Sequence, residues 1–133
     1  MNNRYIFRGK GNPKYNDGEW YYGYLEYDSS DYQIVDPEYG SCKRTIIPET
    51  VGQCTGLKDK NGKLIFEGDI VKDKDSGLFG KVIFATAADG FDGMTGFMVD
   101  DVDDGLQNYN GFWHLVEVIG NIHDNRELLE VER

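Results

Sequence analysis

The residues with the clearest chemical potential are the acidic run at positions 100–105, which reads Asp-Asp-Val-Asp-Asp-Gly. Clustered carboxylates are the oxygen ligands that Ca²⁺ prefers, so the run first suggests an EF-hand loop. With Gly105 at the sixth position of such a loop, Val102 occupies the third, where an oxygen ligand is needed. Gly111 occupies the twelfth, where Glu is needed. The spacing excludes an EF-hand and favours a solvated acidic loop, with a loose cation site as the alternative.

Histidine and cysteine residues are too few and too scattered for zinc. A structural zinc site needs four ligands at short spacings. The chain has only Cys42, Cys54, His114 and His123, and the two histidines lie far along the chain from the cysteines. We expect two reduced thiols, with a disulfide as the alternative.

Carboxylates beside glycine and histidine raise the possibility of a small-ligand pocket. The corner Glu67-Gly68-Asp69 has the residues that a sharp turn requires, since Gly allows positive φ and Asp accepts hydrogen bonds from nearby N–H groups. The sequence therefore favours a structural role for this corner. The alternative is a cleft between the two halves of the chain that uses Asp69, Glu117 or His123, as an enzyme or a small-ligand-binding protein would.

No Gly-rich run has the spacing of a phosphate-binding loop or a dinucleotide fingerprint. We therefore predict no catalytic, cofactor-binding or metal-binding residue, and a protein that is not an enzyme.

The elements that position these residues are short strands. Glu19–Tyr27 is the clearest one, with Trp20, Tyr22 and Tyr24 on one face because successive side chains alternate. Tyr32–Val35 returns after a polar turn, which predicts a hairpin. In addition, Asn61-Gly62 is a strong signal for a second hairpin with a type I′ turn.

The spacing of strands and turns in the second half of the chain is typical of a small barrel. Further strands are predicted over Ile70–Lys72, Gly80–Thr86, Gly96–Val99 and Phe112–Ile122, with a loop over Asp100–Gly105. Only the C-terminus reads as helical, where Asp124 and Glu127 resemble a capping box.

We predict a mainly β fold of small strands and hairpins, with an SH3-type barrel or roll in the C-terminal half and a short C-terminal helical turn. The expected organisation is one domain, in which an N-terminal β region (1–56) packs on the roll (57–133).

Composition and charge limit the class of protein. Aromatics make up 14% of the 133 residues, which predicts a core built on Tyr, Phe and Trp with Val and Ile. The formal net charge is −10, and residues 67–133, with five Lys/Arg and fifteen Asp/Glu, carry all of that excess. Such a surface repels phosphate backbones and favours basic partners. Neither a membrane span nor the apolar run of a signal peptide is present, so we expect a cytoplasmic protein.

Three segments resemble those of the YopX-like proteins in their order and in their residues. The central signature is Val51–Lys63 continued by Ile65–Val71, the opening is Arg4–Arg8 with Trp20–Leu25, and the closing motif is Val118–Asn125 with Glu127–Leu129. The resemblance runs from about Arg4 to Leu129. It implies a bacteriophage or prophage origin, a bacterial host cell as location and an SH3-type roll in the second half. It implies no known activity and supplies no catalytic residue.

The leading functional hypothesis is a non-catalytic accessory protein that binds a host or phage protein, forms a homo-oligomer, or does both. The expected interface is the aromatic face of the first hairpin together with the acidic run: Trp20, Tyr22, Tyr24, Asp100, Asp101, Asp103 and Asp104. An acidic mimic of nucleic acid that occupies a host DNA-binding protein is a variant of this hypothesis. Direct nucleic-acid binding is the least favoured alternative, on a platform of Arg4, Arg8, Lys10 and Lys14 near aromatic rings.

Overall fold

The computed structural model describes residues 5–28, 30–86, 96–102, 105–107 and 113–130. It consists of two antiparallel sheets, which confirms the mainly β prediction. The chain divides into two compact units, Met1–Cys54 and Thr55–Arg133. The strands are β1 Phe7–Lys10, β2 Trp20–Asp28, β3 Asp31–Val35, β4 Lys43–Thr45, β5 Gly52–Lys58, β6 Leu64–Phe66, β7 Asp69–Lys72, β8 Phe79–Ala85, β9 Gly96–Asp101, β10 Gly105–Gln107 and β11 Glu117–Asn121. No helix in the described part of the chain is long and apolar enough to cross a membrane.

The first sheet has the strand order β4-β3-β2-β1-β5-β6. In the first unit, β2 is central: it pairs with β1 through Phe7↔Gly23 and with β3 through Tyr27↔Tyr32. Close approach requires glycine at the centre of β2, because a Cβ on Gly23 would lie 2.1 Å from the carbonyl oxygen of Val35. Strand β5 begins in the first unit and continues into the second, where it lies beside β6.

The second sheet has the order β10-β9-β8-β7-β11. Its end strands, β10 and β11, do not pair with each other over the described residues, so no closed barrel is found, and the SH3-type detail stays a prediction. Strand β9 extends through Asp100 and Asp101 and then pairs with β10. The prediction of a loop over Asp100–Gly105 was therefore wrong at both ends, because Asp100 and Asp101 belong to β9 and Gly105 belongs to β10.

The C-terminal region differs from its prediction in one element. Instead of a strand over Phe112–Ile122, a 3₁₀ turn at Trp113–Leu115 precedes a shorter strand, β11. Trp113 lies in this turn, and its side chain is buried. The predicted C-terminal helical turn is present as a 3₁₀ helix over Arg126–Glu130.

The core is aliphatic rather than aromatic. In the second unit the buried cluster consists of Ile65, Val71, Leu78, Val82, Val99, Trp113 and Val116. In the first unit, Ile34 and Ile46 are buried. Seven tyrosines, in contrast, are exposed: Tyr5, Tyr15, Tyr22, Tyr24, Tyr27, Tyr32 and Tyr39. The predicted core of Tyr, Phe and Trp with Val and Ile was wrong in its tyrosines, whose polar hydroxyl groups favour the surface, whereas Phe66 and Trp113 are buried with Val and Ile.

Candidate protein interface

The predicted aromatic trio does share one face of β2, but its members differ in exposure. Tyr22 is 52% exposed and Tyr24 39% exposed. Trp20 is half-buried, with the guanidinium carbon of Arg8 located 4.9 Å from its ring centroid. Arg8 is itself buried and lies beside Trp20 on the neighbouring strand, so this cation–π pair belongs to the packing of the sheet. Of the three predicted residues, Tyr22 and Tyr24 therefore remain available at the surface.

A second aromatic pair lies at the end of the same hairpin. Tyr27 of β2 is directly opposite Tyr32 of β3, and their ring centroids are 4.8 Å apart at an interplanar angle of 53°. Both rings are exposed, Tyr27 by 59% and Tyr32 by 38%. Strand β1 pairs with β2 only as far as Gly23, so this end of the hairpin extends past β1. The sequence analysis did not single out this pair, although the predicted turn between the two strands places the two tyrosines opposite each other.

Acidic side chains accompany the aromatic rings at this end of the hairpin. Asp28 is directly opposite Asp31, on the face of β2 that carries Tyr24. Like charges opposite each other repel, and the charge of Asp28 also acts on Lys43 of β4. We call the set Tyr24, Tyr27, Asp28, Asp31 and Tyr32 the hairpin-tip surface. Because successive side chains alternate, the Tyr27–Tyr32 pair lies on one face of this hairpin end, and Tyr24, Asp28 and Asp31 lie on the other.

The neighbouring carboxylate, Glu26, is already paired. Its Oε1 accepts a hydrogen bond of 2.9 Å from Nζ of Lys43, on β4. This hydrogen bond raises the pKa of Lys43, and the charges of Glu26 and Asp28 act in the same direction. The acidic character of the hairpin-tip surface thus resides mainly in Asp28 and Asp31.

Asp100 and Asp101, the aspartates of the acidic run that the structure describes, both have contacts within the sheet. Asp101 is buried, and its Oδ2 accepts a hydrogen bond of 3.1 Å from the backbone N–H of Phe79. Asp100 lies in β9 with its carboxylate 4.0 Å from Nζ of Lys81. Asp103 and Asp104 lie outside the described residues, as does Arg4. Asp100 and Asp101 therefore lie in a strand rather than in the expected loop, and their part in an interface stays a prediction.

Several other aspartates also serve the backbone. Asp69 is buried, and its Oδ2 accepts a hydrogen bond of 2.7 Å from the N–H of Phe66, so the Glu67–Asp69 corner is structural. Asp73 is buried too and accepts from the N–H of Asp75 at 2.9 Å. Part of the acidic excess in the second half is thus used to hold turns rather than to attract a partner.

The residues considered for catalysis or metal binding differ in their contacts and positions. Glu117 lies 3.9 Å from Nζ of Lys60 and accepts from the side-chain amide of Asn61 at 3.3 Å. His114 is exposed on the 3₁₀ turn, and His123 lines a surface cavity. Within the described ranges, no group of three or more His, Cys, Asp or Glu side chains is placed to hold a metal ion.

Cys42 is exposed and Cys54 is buried, and no disulfide joins them in this structure; their redox state stays a prediction.

The platform considered for nucleic acid is also incomplete. Arg8 is buried under Trp20 and Lys14 lies over Tyr15 at 5.5 Å, so the basic groups near these rings face the protein's own aromatics.

These features define an all-β protein of two compact units that exposes its tyrosines and uses aspartates to hold its turns. A family model described as YopX protein matches residues 7–130, nearly the whole chain. The chain belongs to the YopX family, which confirms the resemblance found in the sequence. A search of curated proteins gave no match.

Proposed function

We propose that the protein acts by binding a basic segment of another protein at the hairpin-tip surface, without catalysis. In this proposal it is an accessory protein of a bacteriophage or prophage and works in the cytoplasm of the bacterial host. The observation that carries the proposal is a hairpin end that exposes the Tyr27–Tyr32 pair on one face and carries the opposed carboxylates of Asp28 and Asp31 on the other. Membership of the YopX family supports the phage setting through the family resemblance.

The chemistry of the surface favours a cationic occupant. Lys and Arg side chains are attracted to the faces of tyrosine rings and form charge-assisted hydrogen bonds with carboxylates. Tyrosine also carries a disproportionate share of the energy in protein interfaces. The net charge of −10 would add a long-range attraction that speeds the encounter with a basic partner and weakens with salt.

A nucleic-acid mimic receives less support from the same observations. A mimic needs carboxylates spaced along an exposed face like phosphates. Here Asp69, Asp73 and Asp101 are buried in turns or strand ends.

The experiment compares three forms of the full chain as bait in host cells during prophage induction. They are the wild type, the double variant Tyr27→Ala/Tyr32→Ala and the control Tyr39→Ala, which removes a ring that is 61% exposed elsewhere in the first unit. We expect wild type and control to retain the same basic protein and the double variant to lose it. Removal of two such rings should weaken the complex by about 30-fold or more.

A second pair of measurements tests the charge and the occupant. Asp28→Asn/Asp31→Asn should reduce the association rate and the salt dependence of binding to the captured protein. Equal capture by the double tyrosine variant, or a captured protein that is acidic, would contradict the proposal. Light scattering addresses the remaining alternative: a wild-type dimer that the tyrosine substitutions dissociate would show that a second copy occupies the surface instead.

A further inference from the structure

A surface cavity in the second unit collects positive charge in an otherwise acidic part of the chain. Its volume is about 450 Å³, within the range of roughly 300–1,000 Å³ that is common for small-molecule sites. It is lined by Lys81, Ile122, His123, Arg126, Leu129 and Glu130. Lys81 comes from β8, and the other five residues come from the segment that follows β11.

The wall formed by this segment is held by backbone hydrogen bonds. Oδ1 of Asn121 accepts from the N–H groups of His123 and Asp124, both at 2.9 Å. The N–H of Asn125 donates to the carbonyl of Asn121 at 2.8 Å, and the N–H of Ile122 donates to the carbonyl of Gly68 at 2.9 Å. The turn that presents His123 is therefore fixed to β11 and to the corner before β7. A wall of this kind keeps its shape without a ligand.

The charge of the lining runs against that of its surroundings. Residues 67–133 sum to −10, and the described part of this half contains only four Lys/Arg residues. Two of the four, Lys81 and Arg126, line the cavity with His123, and the acidic residue of the lining is Glu130. Nζ of Lys81 lies 4.0 Å from the carboxylate of Asp100, an ion-pair distance that is too long for a hydrogen bond. The ammonium of Lys81 can therefore donate a hydrogen bond to an oxyanion.

Apolar side chains complete the site. Ile122 and Leu129 are half-buried and lie beside the cations in the lining. Such a combination can hold an apolar body and fix its orientation through one charged group. A guanidinium and an ammonium are the groups that bind phosphate or carboxylate oxygens in proteins.

We propose that this cavity binds a small molecule that carries a phosphate or carboxylate on an apolar body, with Lys81 and Arg126 holding the oxyanion and Ile122 and Leu129 contacting the body. This site is separate from the hairpin-tip surface, and neither proposal depends on the other.

The test is a titration of the full-length protein observed by NMR at the methyl groups of Ile122 and Leu129 and the imidazole of His123. The probes are phenyl phosphate and benzoate, which separate the two oxyanions, with benzyl alcohol as the neutral analogue. We expect saturable shifts at these three residues with at least one of the two anions and none with benzyl alcohol. Stronger binding of phenyl phosphate would assign a phosphate ligand, and stronger binding of benzoate a carboxylate ligand.

Variants then assign the cations. Lys81→Gln and Arg126→Gln should each weaken binding by about tenfold, the effect of losing one charge-assisted hydrogen bond. Lys81→Arg should retain most of the affinity, and Lys74→Gln, an exposed lysine of the same unit outside the lining, should leave it unchanged. Unchanged backbone spectra will establish that each variant is folded. The proposal is overturned if neither anion gives saturable shifts, if benzyl alcohol gives the same shifts, or if Lys74→Gln weakens binding as much as the lining variants do.

Discussion

Replacement of Asp59 should destabilise the second unit more than any single change to an exposed carboxylate. Asp59 is buried and follows β5, and its Oδ1 accepts hydrogen bonds from the N–H groups of Asn61 at 2.8 Å and Lys63 at 2.9 Å. Its Oδ2 accepts from the N–H of Val118, in β11, at 2.9 Å. One carboxylate thus holds the β5–β6 hairpin turn and connects it to a strand 59 residues further along the chain.

The magnitude follows from the environments of the three donors. A hydrogen bond to a charged group contributes about 1.5–3 kcal/mol when its partner is removed, and less when water can replace the lost acceptor. Asn61 and Lys63 are exposed, so water can reach their N–H groups, whereas Val118 is half-buried in a ladder. Asp59→Ala should therefore lower the free energy of unfolding by about 3–5 kcal/mol. Asp59→Asn, which keeps one oxygen for the turn, should lower it by about 1.5–3 kcal/mol.

Urea unfolding followed by tryptophan fluorescence will measure this difference. In a Trp20→Phe background the remaining tryptophan, Trp113, is buried in the core cluster of the second unit and reports on that unit alone. Asp75→Ala is the matched control: it removes an exposed carboxylate of the same unit and should change stability by less than about 0.5 kcal/mol. If Asp59→Ala unfolds at the same urea concentration as this control, the three hydrogen bonds do not stabilise the hairpin in the way argued above.

Further outcomes are expected from four other measurements. Burial would raise the pKa of Asp59, but the hydrogen bonds from backbone N–H groups and the charge of Lys63 outweigh burial and lower the pKa below 3.8. The stabilisation by the Asp59 carboxylate should therefore be complete at neutral pH and be lost below about pH 4. The difference in stability between wild type and Asp59→Asn should disappear in the same range. Gly23→Ala should destabilise the first unit by more than about 2 kcal/mol in urea, because its Cβ would collide with the backbone of Val35. Iodoacetamide should alkylate one thiol, Cys42, in the native protein and Cys54 only after unfolding, as mass spectrometry will show. Asp31→Asn should raise the free energy of unfolding in urea by up to about 0.5 kcal/mol, since it removes the repulsion with Asp28.

The local periodicity of the sequence predicted the first hairpin well. The alternation along Glu19–Tyr27 placed Trp20, Tyr22 and Tyr24 on one face, and the structure shifts the strand by one residue, to Trp20–Asp28. The Asn61-Gly62 hairpin was also found, but its turn begins one residue early. The N–H of Gly62 donates to the carbonyl of Asp59, and the N–H of Asp59 donates to the carbonyl of Lys63, which is a three-residue loop with Gly62 at φ +81°. The side chain of Asp59 accepts hydrogen bonds from this three-residue loop and stabilises it. The same carboxylate accepts a hydrogen bond from Val118 in β11, so the turn type depends on a tertiary contact.

Exposure was harder to predict than strand position. Tyrosine favours strands whether its ring is buried or exposed, so the sequence could not distinguish a tyrosine core from a tyrosine surface. The buried positions went to residues such as Val71, Val82 and Val99. The cation-lined cavity could not be predicted from the sequence either. Lys81 and Arg126 are 45 residues apart, and they line the same cavity only in the folded second unit.

The distribution of aspartates changes how the net charge should be interpreted. Formal charge placed the whole acidic excess in the second half and directed attention to the run at 100–105. However, a buried carboxylate that accepts backbone N–H groups, as Asp69 and Asp101 do, serves the fold first and offers no oxygen surface to a partner. Asp28 and Asp31, in contrast, lie directly opposite each other in the hairpin, where like charges repel. A hairpin end that carries two opposed carboxylates on one face and an exposed pair of rings on the other is the stronger indication of a binding role, even though the first half of the chain has no net charge.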